Sequence, residues 1–394
     1  MTLSIFLPPY RGENYPSLAK RGEGRFSFSS QMISNSDITR KIEAAKIALA
    51  DHLGKTENDF LTNFEIISIN PRSFSTIVYL RMITPKMNKH LVMKTINHHP
   101  VNRAITDREN QAVVEYNILT DLYRKFLRVE GCSVPAPVLV IPEMEAYLTE
   151  FVEGNLLIDE FRYARYFSSR ENFQALREHY YLCGRWLKAF QEFTGIHYAG
   201  SEVLVGVIER IDHRLKLIEE LDNQCFPKEL CEELRKYVQL QRRELGDEKI
   251  LVSGRHGDFG PWNILTGAEG ITVMDFLGYQ IEPIAVDLLK MLISLEDEKR
   301  SLTASKKRID ILAESFLEGF GPLPKIQKEV LTICEMLHRI TSAYGTISNK
   351  SKRLHQIVEK HLCLKANAEI LNKMICGDRG SILFKNEDLE ITDS

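Results

Sequence analysis

The spacing of apolar residues changes character along this chain. Between Phe64 and Ile96 it is strand-like, in three short runs: Phe64–Ile69, Ser75–Leu80 and Leu91–Ile96. Asn70-Pro71 and Pro85–Lys89 supply the turns between them. Val134–Val140, punctuated by prolines, leads into a further strand, and Ala146–Glu153 reads as a strand that ends in a turn at Gly154. From Leu156 onward the spacing is mainly helical. Leu182, Trp186, Phe190 and Phe193 recur on one helical face, closed by Gly195, and belong to a core. Near the start, Ser36-Asp37 caps a predicted helix whose buried face carries Ile38, Ile42, Ala45, Leu49 and Leu53. This pattern predicts an α+β chain with a small antiparallel β unit and a larger helical one.

Two charges interrupt the apolar pattern of the first unit. Lys94 lies inside a strand, on the same face as Val92 and Ile96. It is either an edge-strand lysine that blocks unwanted pairing or a functional cation. Downstream, Thr106 and Glu109 form a T-x-x-E capping box, which predicts a helix from about Asp107. Ala112, Glu115, Leu119, Leu122 and Phe126 then share one face, and Glu115 is the only charge among them. A carboxylate facing a core needs a partner, because an unpaired buried charge is strongly unfavourable. Lys94 is the expected partner. Glu109 is the competing carboxylate, but the cap already employs it.

Composition narrows the class. The chain has 394 residues, 44% hydrophobic and 27% charged, as in ordinary globular proteins. A net charge of −3 gives no electrostatic case for nucleic acid. No apolar run approaches the roughly 20 residues of a membrane-spanning helix, and the short apolar start ending at Pro8-Pro9 does not read as a signal peptide. The seven cysteines are odd in number and scattered, without a C-x-x-C pair. They predict reduced, mostly buried thiols in a cytoplasmic protein. Alternating charges between residues 200 and 250, such as Glu209-Arg210-Ile211-Asp212-His213-Arg214, predict solvated helix faces.

The chemistry concentrates in His256-Gly257-Asp258-Phe259-Gly260-Pro261-Trp262-Asn263, followed by Val273-Met274-Asp275-Phe276. Singly, Asp258 could be a turn residue, Asn263 a local cap and Asp275 a strand end. Together they place a carboxylate able to accept a hydroxyl proton beside two hard oxygen ligands suited to Mg²⁺. The stretch resembles the H-G-D-x-x-x-x-N catalytic loop of the aminoglycoside-phosphotransferase-like kinases, which share the protein-kinase fold and phosphorylate small molecules. The resemblance covers residues 61 to 340.

That resemblance implies a two-lobed fold: an N-lobe over residues 61–150 and a C-lobe with the acceptor site over 151–375. Residues 1–60 are expected to form an N-terminal arm and helix, and 376–394 a tail. The resemblance implies ATP and Mg²⁺ as cofactors and, as acceptor, a hydroxyl of a small molecule: a sugar, amino sugar or amino alcohol. Asp258 would orient or deprotonate the acceptor, and Asn263 and Asp275 would hold the metal. Lys94 would contact the α- and β-phosphates, oriented by Glu115. Ser73 and Ser75 would reach the phosphates from the first turn, while the Glu150 carbonyl and Val152 N–H would meet the adenine edge. His256 and Asp287 would brace the catalytic loop. Two departures stand out. The turn Asn70–Ser75 has no glycine, and Phe190-Gln191 stands where the family often carries Leu-His. Between Asp275 and Pro283 there is no room for an activation segment, which argues against a regulated protein kinase. Two rivals stay open: a nucleotide-binding pseudokinase acting as a binding module, and a kinase of a glycan, lipid-linked or protein acceptor.

Overall fold

The structure, a computed structural model, describes residues 35–52, 64–72, 75–84, 87–97, 110–167, 169–301, 304–348 and 354–377. Ser73, Leu53, the Thr106/Glu109 capping box and the tail from Asp378 lie outside the described residues.

The first unit is built on a five-stranded antiparallel sheet. Its strands are β1 (Phe64–Pro71), β2 (Ser75–Thr84), β3 (Met87–Ile96), β5 (Pro137–Ile141) and β6 (Ala146–Glu150), in the order β1-β2-β3-β6-β5. β2 and β3 run several residues past the limits the apolar pattern predicts, because the hairpin pairing continues to Thr84↔Met87. Helix α1 (Asn35–His52) starts just before the predicted Ser36-Asp37 cap. It buries Ile42, Ala45 and Leu49 in one apolar cluster with Val78, Leu80, Leu91, Met93 and Leu148 of this sheet. The helix assigned from sequence to a separate N-terminal segment thus shares the small lobe's core. The apolar stripe explains the packing, since a lone amphipathic helix has little stability in water.

Helix α2 (Gln111–Phe126) buries the predicted face, Ala112, Glu115, Leu119, Leu122 and Phe126. It begins later than the T-x-x-E signal suggests. Asn110 is the cap, with extended backbone, and its side chain accepts from Val113 N at 3.3 Å. Asn is as good a cap as Thr, and its Nδ2 also donates to Pro142 O at 2.5 Å, a tertiary bond invisible to local pattern.

The second unit is mainly helical: α3 (Leu157–Phe167), α4 (Arg170–Thr194), α5 (Val205–Glu220), α6 (Lys228–Leu245), α7 (Ala285–Glu298), α8 (Lys306–Phe320), α9 (Lys328–Ser348) and α10 (Leu354–Ile375). Two small sheets carry the loops of interest. One joins β4 (Cys132–Ser133), β11 (Gly270–Val273), β10 (Ile264–Gly267) and β7 (Asn155–Leu156). The other joins β12 (Gln280–Pro283), β9 (Ile250–Arg255) and β8 (His197–Ala199). α4 and α8 cross at a glycine contact: a Cβ on Gly184 would lie 2.0 Å from Phe316 O. Trp186 of α4 stacks on Phe126, Phe190 and Phe259 at centroid distances of 5.1, 5.0 and 5.4 Å. This aromatic stack forms the floor beneath the His256–Asn263 loop.

The charged stretch around residue 210 differs from the solvated face its alternating signs predict. Arg210 pairs with both oxygens of Glu282, at 2.6 and 2.7 Å, and Glu282 is buried and shared with Arg255. Asp212 and Glu219 clasp Arg235 across α5 and α6. Arg214 stacks over Tyr344 at 4.9 Å. Charge alternation marks a polar helix face but does not tell whether another element covers it.

All seven cysteines are free, and Cys132, Cys183, Cys231 and Cys334 are buried. Among the described residues no helix is long and apolar enough to cross a membrane.

Candidate active site

Lys94 sits on β3, between β2 and β6, so it is not an edge-strand lysine. Its Nζ lies 2.7 Å from Glu115 Oε1 and 2.7 Å from Asp275 Oδ1. Glu115 Oε1 also accepts from Phe276 N at 2.8 Å, which ties α2 to the segment after β11. Burial disfavours the ammonium, but Asp275 and Glu115 outweigh it, and the Lys94 pKa lies above its usual value. Burial likewise pushes the Asp275 carboxyl up, yet Lys94, helped by Arg72, holds it below the usual carboxylate range. Asp275 has φ of +72°, a left-handed backbone that non-glycine residues seldom adopt. Such conformations persist only where the surroundings enforce them.

The His256–Asn263 loop enters from β9. Asp287, buried on the first turn of α7, accepts from His256 N at 2.5 Å and Gly257 N at 3.1 Å. The His256 ring is buried against Phe276, at 4.8 Å between centroids. Its Nε2 donates to Met274 O at 3.0 Å and its Nδ1 accepts from Asp258 N at 3.3 Å. A carbonyl can only accept and an amide N–H can only donate, so these bonds define the neutral Nε2–H tautomer. Neither ring nitrogen is left to take a proton from an acceptor. Gly257 has φ of +90°, and a Cβ there would lie 2.6 Å from Gly278 O, so the loop crosses the Gly278 backbone where only glycine fits.

Asp258 presents a half-exposed carboxylate. Its Oδ2 accepts from Trp262 Nε1 and Asn263 Nδ2, each at 2.9 Å, and its Oδ1 is ion-paired with Lys290 of α7. Asn263 Nδ2 also donates to Asp258 O at 3.0 Å. With Nδ2 so engaged, the amide oxygen is the atom Asn263 has left for a ligand. Met274 N donates to Asn263 O at 2.9 Å and so ties Asn263 to the residue before Asp275.

The remaining expected residues are placed as follows. Ser75 begins β2 and is buried. Arg72 N donates to Ser75 O at 2.7 Å to close the turn, and Asn97 Nδ2 holds Arg72 O at 3.1 Å. Glu150 ends β6, and its exposed carboxylate pairs with Lys89 at 2.5 Å. Val152 lies two residues on, in the link to β7. Gln191, where the resemblance suggested a histidine, is buried and donates to Ile284 O at 3.0 Å, tying α4 to the start of α7.

Three residues of the site escape the sequence reading. Lys290 and Trp262 flank Asp258, and Arg72 acts through space on Asp275 from the glycine-free turn. Lys290 stands one helical turn after Asp287, so the spacing puts both on one helix face. That is the one signal that could have found it.

Two buried histidines make stability sensitive to acid. His256 and His338 are both pushed below the usual value of 6.5, chiefly by burial, and His338 Nε2 donates to Val286 O at 2.7 Å. As pH falls through 6.5 the unfolded chain takes up protons that the folded chain refuses, so stability drops. Each histidine contributes a slope of up to about 1.4 kcal/mol per pH unit until its folded pKa is reached. The thermal midpoint should therefore fall between about pH 7.5 and about pH 5.5. A midpoint that stays level over that range would contradict the buried neutral histidines.

Comparison with solved structures bears on the fold. A glucosamine kinase solved with glucosamine, ADP and inorganic phosphate superposes with a TM-score of 0.54 at 14% identity, over 85% of this chain and 87% of its own. A protein of Ralstonia eutropha JMP134, provisionally described as an aminoglycoside phosphotransferase, gives a TM-score of 0.52 at 14% identity, over 85% and 98%. A glucosamine kinase in another crystal form gives 0.50 at 11% identity, over 84% and 98%. No family model and no curated protein matches the chain. The chain has the two-lobed α+β fold of the aminoglycoside-phosphotransferase-like kinases.

Proposed function

We propose that the chain is a phosphotransferase that moves the γ-phosphoryl group of ATP to a hydroxyl of a small molecule, with Mg²⁺. The observation that carries this reading is the pairing of two unlike carboxylates. Asp258 is half-exposed on a braced loop, and Asp275 lies against Lys94, which Glu115 holds from α2. The structural relatives include a glucosamine kinase bound to ADP, which supports nucleotide use by this fold.

The residues fit a magnesium–nucleotide complex. Among the described residues no cluster of three or more His, Cys, Asp or Glu could hold a metal alone. Mg²⁺ in kinases needs no such cluster, since it is held by one or two protein oxygens together with phosphates and water. Asp275 and the Asn263 amide oxygen provide that pair. When bound, the ion offsets charge on the phosphates. Lys94 would hold the α- and β-phosphates, with Glu115 fixing its position. Arg72 would add a cation in a turn without glycine, and Ser73 and Ser75 would reach the phosphates through hydroxyls or nearby backbone N–H groups. The Glu150 carbonyl and Val152 N–H would meet the adenine edge, so the nucleotide lies between residues 61–150 and 151–375. Asp258 would accept the hydrogen bond of the acceptor hydroxyl and take its proton as the O–P bond forms. His256 cannot substitute for it, since both ring nitrogens are engaged. His256 and Asp287 would keep the loop in place. The free cysteines suit a reducing, cytosolic setting.

A pseudokinase has no need of an available carboxylate at 258, and the exposure of Asp258 favours the enzyme. Two measurements test the reading. A panel of hydroxyl compounds with ATP and Mg²⁺, read by mass spectrometry, should show a product heavier by about 80 Da, one phosphoryl group. Calorimetric titration should show ATP binding weakened at least about tenfold without Mg²⁺ or in Asp275→Ala. Equal affinity under all three conditions would reject the metal assignment.

A further inference from the structure

Lys290 has no part in the phosphotransfer just described, yet it is bound to the centre of the site. Its ammonium is ion-paired with Asp258 Oδ1, donates to Gly257 O at 3.2 Å and stands 5.7 Å from the centre of the Trp262 ring. Asp287, one turn earlier on α7, anchors the backbone of the same loop, so the root of Lys290 is fixed relative to Asp258. The other carboxylate oxygen of Asp258 is held by Trp262 and Asn263. A hydroxyl that reaches Asp258 therefore arrives beside a resident ammonium and a partly exposed indole.

We propose that Lys290 determines the charge class of the acceptor: it selects neutral or acidic polyols, such as sugars and sugar acids, against amino sugars and amino alcohols. The inference rests on the phosphotransferase reading and narrows its substrate. An acceptor ammonium near the reacting hydroxyl would compete with Lys290 for Asp258 and repel it at short range, where the partly buried setting screens charge poorly. A carboxylate at that place would gain a partner instead. The Trp262 indole, 39% exposed, provides an apolar wall for the carbon face of a sugar ring. Glu298 lines the small cavity beside Trp262, but it lies about two turns further along α7, roughly 12 Å from Lys290, so it does not offset the Lys290 charge at Asp258.

The test uses matched triads of neutral parent, amine and acid: glucose, glucosamine and glucuronate; galactose, galactosamine and galacturonate; glycerol, serinol and glycerate. The chain has two tryptophans, and Trp186 is fully buried, so the fluorescence of Trp262 reports binding at the site in the presence of ADP and Mg²⁺. In the triad that binds best, the amine should bind at least about tenfold more weakly than its neutral parent. Lys290→Gln should shrink that gap by about tenfold, and Lys290→Arg should keep it. A purely structural lysine would lower affinity or turnover for every member alike and leave the gap unchanged. An unchanged gap, an amine that binds as well as its parent, or a fluorescence signal that no compound alters would each overturn the proposal. Turnover measured on the same compounds is read separately. Selective binding without phosphoryl transfer rejects the kinase reading and leaves the charge selectivity standing.

Discussion

Asp258→Asn is expected to lower phosphoryl transfer by about 10²- to 10⁴-fold, the usual worth of a positioned general base, while ATP binding changes little. The substitution is nearly isosteric, and the loop backbone is held by other groups: Asp287 takes the N–H groups of His256 and Gly257, and His256 Nδ1 takes that of residue 258. If the asparagine oxygen keeps the bonds from Trp262 and Asn263, its amide N–H₂ points at Lys290, a donor facing a donor. Lys290 must then turn away, and no carboxylate remains to take the hydroxyl proton. The Lys94–Glu115–Asp275 group, proposed to hold the nucleotide, makes no contact with Asp258 through these ion pairs and keeps them. Turnover of an identified acceptor, measured beside an ATP titration of both proteins, decides the matter. Turnover equal to wild type would remove Asp258 from the chemistry.

The second large effect is on stability. Asp287→Ala should destabilise the protein by about 2–5 kcal/mol, because one buried and one partly buried backbone N–H lose their acceptor at a typical cost of about 1–3 kcal/mol each. Relief of the buried carboxyl works against part of this cost, since burial already pushes Asp287 above the usual carboxylate range. Asp287→Asn should fall between Ala and wild type, with one acceptor oxygen restored and its amide donor set against the second N–H. Activity should fall in both variants, because the cross-braced loop carries Asp258 and Asn263. Denaturant and thermal midpoints of the three proteins provide the measurement. An Ala variant that melts with wild type would show that the loop is held by its aromatic floor rather than by Asp287.

Much of the site was readable before any coordinates. Lys94 in an apolar strand and Glu115 in an apolar helical stripe each violate the local rule that buried positions are apolar, and the two violations resolve each other at 2.7 Å. The predicted face of α2 is buried residue for residue. Asp258, Asn263 and Asp275 declare themselves by residue type and spacing, because hydroxyl activation and hard-metal ligation demand oxygen donors in close succession.

Other features depend on partners that are remote in sequence. Lys290 lies 32 residues from Asp258, and Glu282 lies 72 from Arg210. In both cases the sequence showed an ordinary charge on a helix or strand, because periodicity reports which face is polar and not what covers it. The late start of α2 was decided by Asn110 and its bond to Pro142, 32 residues on, against a local cap signal of similar strength. Arg72 sits in a turn with no phosphate-binding signature of its own, and only the folded arrangement sets it near Asp275. The sequence alone therefore determined the chemistry available and the two-lobed architecture that displays it. Tertiary structure decided which charge stands beside the Asp258 carboxylate, because that depends on the packing of α7 against a loop 32 residues earlier in the chain.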